Sequence, residues 1–198
     1  MKPAIKTKYP LHDLIKKRWS PRAFSERTIE KEKILTMFEA ARWAASCYNE
    51  QPWNFLFATK ENHEDFNNLL DCLIETNKIW AHKAPLLIMT VAKTIFDHNK
   101  KFNNHASHDI GLSIGNLTLQ AASMNLYVHQ MAGFNTVKAK SKFKLPEHFE
   151  PVSMIAVGYL GEMDSLPDRL KELEISPQKR KGLREMLFEG TWGNSYIK

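Results

Sequence analysis

At 198 residues, with 43% hydrophobic and 25% charged side chains, the chain is long enough for one domain with a buried core, and its ordinary globular composition excludes disordered and fibrous classes. The net charge of +6 and a pI near 9.2 favour anionic partners, with nucleic acid and phosphorylated cofactors the two candidates. No apolar run reaches the roughly 18 residues of a membrane span, and the polar, basic stretch Met1–Pro10 lacks the apolar core of a secretory signal, so a cytoplasmic protein is expected, with Cys47 and Cys72 as free thiols.

In chain order, a first helix is expected over His12–Lys17, followed by a loop, Arg18–Thr28, stiffened by Pro21. A second helix spans Ile29–Ala45, where Ile34, Phe38, Ala41 and Ala45 recur at helical spacing. Trp53–Thr59 is rich in aromatics and reads as a strand. His63–Asn77 is again helical, with Phe66, Leu69, Leu70, Leu73 and Ile74 on one side. Leu86–Ala92, opened by Pro85, reads as a buried strand. Ser107–Asn125 is the longest amphipathic helix, with Ile110, Ile114, Leu117 and Ala121 in one stripe. Two strands follow, Val128–Met131 and Val152–Tyr159, the second closed by Gly158 and Gly161. From Asp164 the tail reads as polar and irregular, with a basic cluster at Lys179, Arg180 and Lys181. No GxGxxG follows a strand, which argues against a Rossmann site. The pattern fits one α+β domain over residues 1–198, a mixed sheet flanked by helices. A tail this long without its own core packs on another surface or serves a function.

Four segments carry candidate chemistry. In Arg18-Trp19-Ser20-Pro21-Arg22, two guanidinium groups bracket a hydroxyl, and guanidinium forks match phosphate oxygens. Ala45-Ser46-Cys47-Tyr48-Asn49-Glu50-Gln51 packs a hydroxyl, a thiol and two amides between a helix and a strand, and amides suit the edge of a heterocycle. Gly111, Gly115 and Ala122 line the central helix with small residues, which permit close approach of another backbone. In Met131-Ala132-Gly133-Phe134-Asn135, a glycine after a strand lets backbone N–H groups approach a ligand. Each segment alone is also compatible with solvated arginines, a capped turn or plain core packing.

Taken together and in this order, RWSPRAF, AARWAASCYNEQPWNF, DIGLSIGNLTLQAASMNL, MAGFN, IAVGYLGE and KRKGLREML resemble the nitroreductase family of FMN enzymes, from Leu11 to about Trp192. The resemblance implies an α+β nitroreductase-like fold, an intertwined homodimer, FMN at the dimer interface, and NADH or NADPH as electron donor. It implies that Arg18, Trp19, Ser20 and Arg22 bind flavin from one subunit, Arg18 near the phosphate and Arg22 at the N1/O2 edge. Ala45, Ser46, Cys47, Asn49 and Gln51 would come from the other subunit. Met131, Ala132 and Gly133 would lie near flavin N5, with backbone N–H donors from Ala132 and Gly133. Arg180 and Lys181 would close on the phosphate. The sequence departs from the family pattern where Ala45 stands for a common proline, Ala132 for glutamate and Asn125 for glycine. No side-chain acid is required, since solvent can supply protons.

The expected activity is ping-pong reduction of a small oxidised substrate, such as a nitroaromatic or quinone, with Trp43, Tyr48 and Phe134 as the aromatics nearest the pocket. Relatives of this fold that dehydrogenate, dehalogenate or fragment flavin supply the alternative. A basic nucleic-acid binder is set aside because the basic residues are scattered and no recognition motif is present. A metal at His105 and His108 is set aside for want of HExxH or a cysteine partner, and a serine hydrolase for want of GxSxG.

Overall fold

A computed structural model describes residue 5 and residues 7–197. Its sheet is built around β2 (Leu86–Lys93), whose apolar run is buried from Leu86 to Ala92. Successive side chains of a strand point to opposite faces. Leu86 and Ile88 enter one core, while Leu87, Met89 and Val91 enter another. A strand covered on both sides needs such a stretch, in which the one polar residue, Thr90, meets Ser153 Oγ at 2.9 Å.

β2 pairs with β1 (Trp53–Thr59) on one side and β4 (Phe149–Gly158) on the other, and β4 pairs with β3 (Tyr127–Met131), giving the order β1-β2-β4-β3. All three pairings are antiparallel, so the sheet formed by the described residues is not the mixed sheet expected. The physical reason is the late arrival of β4. A helical crossover carries the chain from β2 to β3 in the same direction, and β4 then inserts between them, antiparallel to both.

That crossover is α5 (Ala106–Ser123), which packs with α2 (Lys31–Arg42) on one face of the sheet. Its expected stripe is the buried one: Ile110, Ile114, Leu117 and Ala121 are all within the core. α5 ends in a Schellman arrangement, with Leu126 N–H donating to the Ala121 carbonyl at 2.9 Å and Asn125 N–H to that of Ala122 at 3.3 Å. Asn125 takes the left-handed position at φ 60°, which asparagine tolerates, and its side chain accepts from Lys17 Nζ. This accounts for asparagine where glycine is common.

The other face is covered by α3 (His63–Cys72), α4 (Glu75–Ala81) and α6 (Thr136–Lys142). The expected helix His63–Asn77 is therefore two helices. Leu73 and Ile74 are extended, Leu73 bridges Phe134, and Ile74 N–H donates to the Gly133 carbonyl at 3.1 Å. Gly133 is held close by this exchange: a β-carbon there would lie 2.6 Å from Ile74 Cδ1 and 2.8 Å from Asn77 Nδ2. The second helix is shorter than expected, ending at Arg42 rather than Ala45. The tail is not wholly irregular. It forms α7 (Asp168–Ile175), which carries a buried acid, Glu174. A short helix, α1 (Asp13–Lys17), starts the fold with the His12 ring accepting from Leu14 N–H.

Candidate functional site

The loop after α1 is fixed from three sides. Pro21 is buried, and its carbonyl accepts from His129 Nδ1 of β3 at 2.8 Å. Trp19 is buried edge-on to Tyr127, also of β3, at 6.3 Å between ring centroids. Downstream, Ser25 N–H donates to the Tyr159 carbonyl and Gly161 N–H to that of Ala23, both at 2.9 Å. Gly161 must be glycine for this contact, since a β-carbon would lie 2.4 Å from the Phe24 backbone.

The third support is α7. Glu174 Oε1 accepts the backbone N–H groups of Arg22 at 2.8 Å and Ala23 at 3.1 Å. Its Oε2 lies 3.8 Å from the Arg22 guanidinium. Nothing in the sequence of α7 singled out Glu174, because its role depends on a contact across some 150 residues.

Pinned in this way, the loop and the tail enclose a cleft of about 210 Å³ lined by Arg18, Trp19, Ser20, Arg22, Leu173, Glu174, Ser176, Gln178 and Arg180. The structure thus brings together five of the candidate residues: Arg18, Trp19, Ser20, Arg22 and Arg180. Lys181 lines an adjoining groove of about 920 Å³, which shares Arg18 and Arg180 with the cleft. Burial, and the Arg180 charge beside it, pull the Arg18 guanidinium below its ordinary value. Two guanidinium groups lining one cleft suit an anion there. Trp19 adds a buried indole Nε1–H with no acceptor among the described residues.

His129, beneath this loop, is mostly buried, its ring tilted by 38° against Trp80 at 4.5 Å between centroids. Burial, opposed by the Pro21 carbonyl and aided by the Arg22 charge, pushes its pKa down to about 4. It is a neutral ring that donates from Nδ1 and holds the loop.

The second candidate segment is built separately. Ala45, Ser46, Cys47, Asn49 and Gln51 line neither the cleft nor the groove. Tyr48, Asn49 and Gln51 all have positive φ, at 52°, 55° and 50°. Such backbone persists when its surroundings hold it. Here Cys47 N–H donates to Asp109 Oδ2 at 3.0 Å, and Gln51 N–H to Ser46 Oγ at 3.0 Å. Glu50 accepts Asp97 N–H at 2.7 Å and meets His98 Nδ1 at 2.5 Å. Asp109 is 2% exposed in the first turn of α5. Its signal was available: an acid beside the buried stripe needs a partner. His108, once weighed as a metal ligand, has its Nδ1 3.2 Å from Asp109.

Met131, Ala132 and Gly133 also lie outside the cleft, at the far end of β3 from Tyr127. Of the aromatics expected near a pocket, Trp43 and Tyr48 are 73% and 80% exposed, whereas Phe134 packs against the core. Cys47 and Cys72 are both free, and burial pushes the Cys72 thiol up.

Of the small residues expected along α5, Gly111 and Gly115 lie on its solvent face, whereas Ala122 is buried. Gly111, Gly115 and Asn116 are exposed, as is Leu112, and no atom lies within 4 Å of a β-carbon built on either glycine.

Comparison with known proteins agrees with this architecture. A solved oxidoreductase containing FMN superposes with a TM-score of 0.89 at 34% identity, over 94% of this chain and 95% of that one. An uncharacterised 15.4 kDa protein of Mycolicibacterium smegmatis is 32% identical over 131 residues, 66% of this chain and 86% of its own. A protein of Methanothermobacter thermautotrophicus with the provisional name NADH dehydrogenase/NAD(P)H nitroreductase is 25% identical over 79% of this chain and 80% of its own. The family described as Nitroreductase family matches residues 15–159, most of the chain and both segments that build the loops above. The chain belongs to the nitroreductase family.

Proposed function

We propose that the chain is an FMN-dependent oxidoreductase that works as a homodimer and passes reducing equivalents from NADH or NADPH to a small oxidised substrate. The observation that carries this is the convergence of Arg18, Arg22 and Arg180 with Ser20 on one cleft. Three arginines lining one cleft and an orphaned buried indole N–H fit a phosphorylated, hydrogen-bonding ligand. The FMN-containing relative at 34% identity supports FMN as that ligand, and the name of the M. thermautotrophicus relative supports a nicotinamide donor.

Bound FMN would supply the redox chemistry, accepting hydride and donating it onward. Arg18, Arg180 and Lys181 would hold its phosphate. Ser20 would hydrogen-bond beside them, and Arg22 would set the charge at the N1/O2 edge that the family resemblance assigns to it. The hydrogen-bonded Ser46–Gln51 loop lies outside the cleft, so Ser46, Cys47, Asn49 and Gln51 with Ala45 would serve the site of a second copy. The exposed small-residue face of α5 supports close approach of that copy. Met131, Ala132 and Gly133, at the end of β3, would flank the reacting edge, with Ala132 contributing no carboxylate.

The test is calorimetric titration of apo-protein with FMN, followed by anaerobic addition of NADH or NADPH. One FMN per chain, competed by inorganic phosphate and bleached by a nicotinamide, is the expected result. Absence of FMN binding, or bound FMN that neither nicotinamide reduces, would overturn the proposal.

A further inference from the structure

We propose that Glu174 is a positioning residue that presets Arg22 and tempers its charge, and so lowers the reduction potential of flavin bound beside it; this rests on the FMN function proposed above. Glu174 is 5% exposed, yet it faces a cleft lined by three arginines. One oxygen is used twice, by Arg22 N–H and Ala23 N–H, which sets the backbone from which the Arg22 side chain springs. The other oxygen is buried with no hydrogen-bond partner among the described residues, 3.8 Å from the Arg22 guanidinium. A purely structural role needs only the first oxygen. The second places a negative charge against a guanidinium in a partly buried setting, where screening is weak.

The direction of the effect follows from charge. Hydride transfer to FMN adds two electrons and one proton and leaves negative charge near N1 and O2. A cation at that edge stabilises the reduced form, and a carboxylate paired with that cation cancels part of its field. Glu174 therefore holds Arg22 in place while moderating it.

The variant that separates the two roles is Glu174→Gln, which keeps a carbonyl oxygen for both backbone N–H groups and removes the charge. In the FMN-loaded protein, E174Q is expected to favour reduced over oxidised FMN about tenfold more than the unmodified chain does, a positive shift of about 30 mV for a two-electron couple. Glu174→Asp, which draws the carboxylate back by one methylene, should move the potential the same way by less. It decides the matter where E174Q does not accumulate as folded protein. An unshifted potential in E174Q, or in E174D where that variant stands in, overturns this inference. If FMN nonetheless binds and is reduced, the proposed function survives. A chain that binds no FMN overturns both.

Discussion

At the scale of single residues, Arg18 and Arg22 share a cleft but have different surroundings. Burial and the Arg180 charge hold Arg18 below its ordinary value, and Arg22 lies 3.8 Å from Glu174. Arg18→Ala should therefore mainly weaken FMN binding, and Arg22→Ala should weaken binding and also lower the flavin potential. A charge-assisted contact is worth about 1.5–3 kcal/mol, or one to two decades in affinity. Calorimetry and redox titration of both variants check this, and wild-type FMN affinity in both would remove these arginines from the site. His129 gives a pH prediction. Its folded pKa, about 4, lies below the ordinary value of 6.5. Its contribution is fully present above pH 6.5. As pH falls from there toward 4, the unfolded chain takes up a proton that the native chain refuses, and stability declines by about 3 kcal/mol in all. Urea denaturation across this range should show a shallower decline for His129→Gln than for the unmodified chain. Parallel curves would mean that the ring is protonated without cost.

At the scale of elements, hydrophobic period was a good guide where local pattern and packing agree. The stripe of α5 and the buried run of β2 are the clearest cases, because each presents one side or both to a core that needs apolar area. Period failed at Leu73 and Ile74. Their helical spacing is intact, and no proline or glycine marks a break, but bridging to Gly133 and Phe134 outweighs the local preference. α6 and α7 were missed for a related reason: they are short, polar helices packed by partial faces. Of the candidate site, the arginine loop was legible because its residue types declare their chemistry. His129 and Glu174 were not, since each acts through a distant backbone group, and the cue at Asp109, an acid beside a buried stripe, does not name its partner Cys47. The Gly133 contact yields a test of the break itself. Gly133→Ala should cost about 1–3 kcal/mol by overpacking against Ile74. Ile74→Ala in the same chain should recover part of that loss, because residues in contact are not additive. Denaturation midpoints that simply add would show that Ile74 is not the obstacle.

At the scale of the whole molecule, the two loops that the family resemblance assigns to one cofactor are built on different supports. The arginine loop rests on β3 and α7, and the Ser46–Gln51 loop rests on Asp109 of α5. A second copy would bring one loop of each chain to the other. Dimers of this kind commonly bury more than about 2,000 Å². With one flavin face open between two chains, nicotinamide and substrate would take turns, so double-reciprocal plots against both should be parallel. Intersecting lines together with a trapped ternary complex would require a second pocket. The central claim, that FMN is held between two copies of the chain, is tested most directly by sedimentation velocity recorded in both protein and flavin absorbance. A single dimeric boundary at micromolar concentration carrying one FMN per chain is expected, whereas a stable monomer that retains FMN, or a dimer that sediments without it when FMN is supplied, would refute a shared site.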